Sequence, residues 1–190
     1  VDSIYNTEAV VEDLNTTDDG LAGSVVYQPN EGEQDFLDLA LKSTNSLGSA
    51  GSIVVRTVKG KPYDLPYRES FRGGELAYDF AWVSYNVTRD NYLQLTTDSA
   101  SDADGGCIAW KSYDKEEFFD FNTGKIAITE AQKPVLMYSY YATPGKNFSM
   151  QVSAVKPDAA TQVLQTINFD TLQGVPGWRT EVIDLSDLKD

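Results

Sequence analysis

The stretch Gly124–Val155, GKIAITEAQKPVLMYSYYATPGKNFSMQVSAV, contains three predicted strands in succession and decides the fold class. Lys125–Thr129 alternates isoleucines with other residues, and the turn residues before Pro134 end this first segment. Val135–Ala142 (VLMYSYYA) is apolar or aromatic at nearly every position, which predicts a central strand buried on both faces. Phe148–Ala154 alternates apolar with polar residues and predicts a half-buried strand. The whole stretch predicts the middle of an antiparallel β-sandwich.

Strand patterns continue on both sides of this stretch. A hairpin is predicted from Asp35–Ser43 and Ser52–Val58, joined by a Gly/Ser/Asn-rich loop at Thr44–Gly51. Asp114–Thr123 is predicted to be a loop. Further strands are predicted at Ser24–Gln28, Glu69–Phe71, Leu76–Tyr85, Tyr92–Thr97, Cys107–Tyr113, Val163–Phe169 and Gly177–Leu185. No segment shows a convincing helical period, so we predict an all-β chain with helix below about a tenth of its residues.

The composition excludes several classes of function. The 190 residues include 29 acidic and 15 basic side chains, a net charge of −14, so nucleic acid is not an expected partner. The chain has no histidine, which removes histidine-dependent catalytic triads and the usual histidine-containing zinc sites. Its single cysteine, Cys107, cannot form an intrachain disulfide and is predicted to be a small buried strand residue.

Paired carboxylates are the remaining candidates for catalysis, since two of them suffice for glycoside hydrolysis. Glu116 and Glu117 are adjacent, and Asp102 and Asp104 are two apart. With 29 acidic residues such pairs are expected by chance, and adjacent side chains in a strand point to opposite faces. We therefore predict that the chain is not an enzyme.

The predicted hairpin of the N-terminal third has a recognisable pattern. Phe36–Val58, with an alternating strand, the segment LKSTNSLGSAG and a β-branched return strand, resembles the last two strands of a fibronectin type III or similar immunoglobulin-like module. Such a module usually has about seven strands in about a hundred residues. We therefore predict an incomplete module at residues 1–60 and a linker at residues 61–66. The alternative is that residues 1–60 add strands to the sandwich of the following unit.

Residues 67–190 contain five short pieces in a fixed order: ESF-x-GG, DADGGCIAW, KPVLMYSYYA, FSMQVSA and GW-x₄-IDLS. In their order and spacing these pieces resemble the choice-of-anchor J, or cleaved-adhesin, family. The resemblance implies a MAM-like jelly roll from a secreted or surface protein of Bacteroidota. In that family further strands follow the last piece, so the resemblance implies a domain truncated at its C-terminus.

The loop Thr97–Gly106 is the candidate metal site. Asp98, Asp102 and Asp104 lie close together beside two glycines, and calcium takes six to eight oxygen ligands from such loops. Glu69 is a further candidate ligand because it opens the first strand of the predicted domain. The resemblance also implies a structural Ca²⁺. The alternative is a solvated acidic turn.

Aromatic side chains are the candidate ligand-binding residues, because their rings can stack on sugars. Trp82, Trp110 and Tyr113 are the predicted contacts, and Trp178 is a further candidate. Each tryptophan lies among apolar neighbours in an apparent strand, so packing in the core is the alternative role.

The resemblance implies a non-catalytic module, extracellular or on the outer-membrane surface, that mediates binding or adhesion to a glycan or a protein. Two alternatives remain open: an accessory lipoprotein subunit of an outer-membrane glycan or peptide uptake complex, and the non-catalytic part of a secreted hydrolase.

Overall fold

The chain divides into two compact units. The first consists of Val1–Tyr63, Asp79–Val83 and Phe121–Ile126, and the second of Asp64–Tyr78, Ser84–Asp120 and Ala127–Asp190. The division after Tyr63 falls within the predicted linker 61–66, and two later segments belong to the first unit. The computed structural model describes residues 3–4, 10–17, 20–26, 32–45, 48–86, 93–103, 105–111, 117–129, 133–155 and 160–188.

Strands account for 46% of the residues, so the prediction of an all-β chain is confirmed. The strands are β1 Ser3–Ile4, β2 Val10–Thr17, β3 Gly20–Val26, β4 Asp35–Asn45, β5 Gly48–Lys59, β6 Trp82–Asn86, β7 Leu93–Thr96, β8 Cys107–Trp110, β9 Phe118–Asn122, β10 Val135–Ala142, β11 Ser149–Ala154, β12 Gln162–Asn168 and β13 Gly177–Asp184. The described helical segments are two 3-10 turns, at Arg72–Gly74 and Ser186–Leu188. No helix within the described ranges has the length and apolar character needed to cross a membrane.

The strands pair into small sheets. Strand β4 lies between β1 and β5, and the other sheets are the pairs β2–β3, β6–β9, β7–β8, β10–β13 and β11–β12. Every strand pair whose register is described is antiparallel. This agrees with the predicted antiparallel arrangement, because alternating strands with short connections favour antiparallel pairing.

The hairpin β4–β5 confirms the predicted hairpin and corrects its loop. Asn45 pairs with Gly48, so the strands extend over most of residues 44–51. Farther along the hairpin, Arg56 donates from Nε and Nη2 to the two carboxylate oxygens of Asp38, at 2.6 and 2.7 Å. These hydrogen bonds lower the pKa of the Asp38 carboxyl. The pair is exposed to solvent, so it adds little to stability.

The core of the second unit lies between β10 and the β11–β12 pair. Its buried residues are Tyr140, Ala142, Ile167 and Phe169, and Tyr138, Phe148, Met150 and Leu172 pack against them. Tyr138, Tyr140 and Ala142 lie on one face of β10, and the other face is exposed. The prediction that β10 is buried on both faces is therefore wrong, because only its even-numbered residues meet the facing strands.

Four other predicted elements differ from the observed ones. Phe118–Asn122, within the predicted loop, forms β9, because pairing with β6 satisfies its backbone. The predicted strand Lys125–Thr129 has a single bridge, from Ile126 to Tyr63. The predicted strand Glu69–Phe71 leads into a 3-10 turn, and Leu76–Tyr85 is extended in strand only from Trp82 onward.

Candidate functional site

The exposed side of the β10–β13 pair forms an apolar strip, which we call the outward face. In the register of the pair, each β10 residue of this face lies directly opposite its β13 neighbour. Facing residues of an antiparallel pair project to the same side of the sheet. The outward face comprises the pairs Val135–Asp184, Met137–Val182, Ser139–Thr180 and Tyr141–Trp178.

One half of the outward face is aliphatic. Val135, Met137 and Val182 are 61%, 70% and 64% exposed. Side chains this apolar are normally covered when they lie together on a sheet, and contiguous apolar patches mark interaction sites. Asp184 is the last residue at this end of the strip, and its Oδ1 accepts a hydrogen bond from the backbone N–H of Ser186 at 2.8 Å. None of the eight residues of the outward face is basic.

The other half combines aromatic rings with hydroxyl groups. The rings of Tyr141 and Trp178 meet edge to face, with centroids 5.7 Å apart and planes at 88°. Tyr141 is 49% exposed, and Trp178 is half-buried. In the next pair, the hydroxyl oxygens of Ser139 and Thr180 lie 2.9 Å apart. One hydroxyl donates to the other, which leaves the acceptor's own O–H directed elsewhere.

The inward side of the same strands holds this face in place. The hydroxyl of Tyr138 donates to Oε1 of Gln165 on β12 at 2.8 Å. Burial, the charge of Glu181 and the neighbouring Tyr140 raise the pKa of Tyr138 to about 12. Tyr140 itself packs edge to face on Phe169 at 5.8 Å. Because these contacts fix the even-numbered side chains inward, strand alternation directs the odd-numbered ones outward.

Two of the candidate metal ligands, Glu69 and Asp102, lie near the turn Arg72–Gly74. Gly106 donates its N–H to the carbonyl of Ser70 at 2.8 Å, which joins the acidic loop to this segment. A Cβ at Gly106 would clash with the carbonyl oxygens of Phe71 and Thr96, so the approach requires glycine. Asp102 is exposed, and its Oδ2 lies 3.5 Å from the guanidinium of Arg68.

The other carboxylates of the predicted site have separate roles. Glu69 accepts the N–H of Phe71 on Oε1 and that of Ala77 on Oε2, each at 2.8 Å. Asp98 is exposed, and its charge adds to burial in raising the pKa of the Cys107 thiol. Asp104 lies outside the described residues. Within the described ranges, no three acidic or cysteine side chains converge as a metal site would require. The calcium site stays a prediction.

The predicted aromatic contacts belong to separate clusters. Trp82 packs against Phe36 and Phe80, with ring centroids 5.1 and 5.4 Å away. Trp110 packs against Phe119 and Phe148, at 5.4 and 5.3 Å. The Trp110 indole nitrogen is buried, with no hydrogen-bond partner among the described residues. Both tryptophans therefore contribute to packing, and their role as ligand contacts stays a prediction.

Tyr113 and Glu116 lie outside the described residues, and Glu117 is buried. Sequence reasoning named Trp178 but missed the rest of the outward face. The available signal was the alternation of Trp178, Thr180 and Val182 along β13. In β10 the residues of both faces are mostly apolar, so the sequence shows no alternation that would identify the exposed face.

Comparisons with family models, with curated proteins and with solved structures found no match to this chain. The assignment of a site therefore rests on the chain's own residues and on the geometry described above.

Proposed function

We propose that this chain is a non-catalytic binding module of a secreted or surface-exposed protein, and that the outward face is its binding surface. The observation that best supports this proposal is that Val135, Met137 and Val182 are exposed together on one face of the β10–β13 sheet. The other face of the same sheet packs in the core. Exposed aliphatic side chains gain free energy when a partner removes them from water, at about 25 cal/mol per Å².

The resemblance of residues 67–190 to the choice-of-anchor J family supports the same role. On this proposal the antiparallel sheets belong to a MAM-like jelly roll, a fold whose sheet faces and end loops are available for recognition. The absence of histidine from the sequence removes histidine-dependent hydrolysis and so supports a binding role.

The proposal is tested on arrays of immobilised glycans and purified extracellular proteins. A double variant, Met137→Lys with Val182→Lys, places two charges on the outward face. The matched control, Val155→Lys with Val163→Lys, makes the same change at exposed valines outside that face. We expect binding to be lost in the first variant and retained in the control, with no product released from the bound ligand. Binding that survives the first variant, or release of product, would contradict the proposal.

A further inference from the structure

The shape of the outward face restricts what can occupy it. Along β10 the outward face runs from Val135 to Tyr141, six steps of about 3.4 Å, which gives a length of about 20 Å, and two strands give a width of about 10 Å. The resulting flat area of about 200 Å² is well below the roughly 800 Å² per partner of a stable protein–protein interface. A single extended polymer chain fits a strip of these proportions better than a folded protein or a second copy of this chain.

Charge further restricts which kind of polymer can bind the outward face. The chain has a net charge of −14, and the outward face carries Asp184 and no basic residue. An anionic polymer would be repelled by the whole molecule and would find no cation at the surface. A second copy of the chain would meet the same repulsion. An uncharged polymer avoids this cost.

The chemistry of the face separates a peptide from a polysaccharide. An extended peptide laid across Val135, Met137 and Val182 would place backbone N–H and C=O groups over side chains that cannot satisfy them. Peptide strands therefore bind along sheet edges rather than on such faces. A pyranose ring has C–H groups on its flat sides and hydroxyls around its rim, so its rim stays in water when its face lies on an apolar surface.

We infer that the outward face binds an extended, uncharged polysaccharide. Tyr141, the more exposed of the two rings, supplies the aromatic surface for the C–H face of one sugar, since the negative face of an aromatic ring attracts C–H groups. Trp178 supports the Tyr141 ring edge to face. The Ser139–Thr180 hydroxyl pair forms a hydrogen bond with a hydroxyl group on the rim of the next sugar. Met137 and Val182 continue the apolar contact along the strands. This inference rests on the proposed binding function and names its ligand class.

Affinity electrophoresis in native gels tests the inference. The probes are mixed-linkage β-glucan, xylan and hydroxyethylcellulose, with the anionic polymer polygalacturonate for comparison. We expect at least one uncharged polymer to retard the native chain, and polygalacturonate to have no effect. Tyr141→Ala should weaken the interaction about tenfold or more. Phe118→Ala is the matched control, because Phe118 is also 49% exposed but lies on β9.

A second variant keeps the test valid if Tyr141→Ala does not fold. Thr180→Val preserves the shape and strand propensity of an exposed β-branched residue and removes one hydroxyl. It should weaken polysaccharide binding, whereas an apolar protein partner would bind it at least as well as the native chain. Circular dichroism establishes that each variant is folded.

Three outcomes would overturn the inference: retardation by none of the uncharged polymers, equal retardation of the native chain and both face variants, or retardation by polygalacturonate as strong as that by the uncharged polymers. If the lysine pair abolishes binding to a protein on the array while no polysaccharide retards the chain, the binding function stands and the ligand class is wrong.

Discussion

Glu69 holds Phe71 in a left-handed backbone conformation. Phe71 has φ 52° and is the one non-glycine residue with positive φ within the described ranges. Its N–H donates to Oε1 of Glu69 at 2.8 Å, and the second carboxylate oxygen accepts the N–H of Ala77. A single half-buried carboxylate thus accepts hydrogen bonds from backbone N–H groups on both sides of the turn Arg72–Gly74.

The first prediction concerns the stability that this carboxylate provides. Glu69→Ala removes two charge-assisted hydrogen bonds and should lower the free energy of unfolding by about 1–3 kcal/mol. Glu75→Ala, an exposed glutamate in the same segment, should change it by less than about 0.5 kcal/mol. Urea denaturation followed by tryptophan fluorescence measures both. Equal effects of the two substitutions would show that Glu69 has no special role.

The second prediction concerns alkaline pH. The pKa of Tyr138 is raised from 10.0 to about 12 in the folded chain, chiefly by burial. A raised pKa means that the folded state holds the proton more tightly, so this stabilisation is complete below about pH 10 and is lost as pH rises toward 12. Phenolate absorbance should therefore show one tyrosine titrating near pH 12, and Tyr138→Phe should remove that step. An unchanged high-pH step in the variant would refute the assignment.

The third prediction concerns calcium and Arg68. If Asp102 is a calcium ligand, the ion must displace the Arg68 guanidinium, which lies 3.5 Å from its carboxylate. Excess calcium should therefore raise the melting temperature relative to chelator, and Arg68→Gln should enlarge that rise. Arg72→Gln, an exposed arginine nearby, is the control. Coincident midpoints in calcium and chelator for both the native chain and Arg68→Gln would mean that the loop is a solvated acidic turn.

Strand positions could be predicted from the sequence more reliably than the environment of their faces. VLMYSYYA correctly predicted β10, and FSMQVSA correctly predicted the half-buried β11. The sequence does not distinguish the covered side of β10 from the exposed one, because Met137 and Tyr141 are as apolar as Leu136 and Tyr140. Burial of a face depends on which strand packs against it, and that contact is long-range.

Long-range pairing also explains why the predicted ends of β4 and β5 differ from the observed ones. Residues 44–51 have loop-like composition, but the two strands continue past a register shift between Lys42 and Ser43 and pair as far as Asn45 and Gly48. Glu69 is a plausible metal ligand from its residue type and its place at the start of the predicted domain. Its actual partners, Phe71 and Ala77, depend on a turn geometry that residue spacing does not specify.

Oxidation of the chain's two methionines tests the central claim most directly. Met137 lies on the outward face and is 70% exposed, whereas Met150 packs against the core of the same unit. Mild peroxide treatment followed by peptide mass spectrometry should oxidise Met137 faster than Met150. A saturating amount of the ligand identified on the array should slow the oxidation of Met137 and leave the rate at Met150 unchanged. Binding of that ligand with no protection of Met137 would contradict the account.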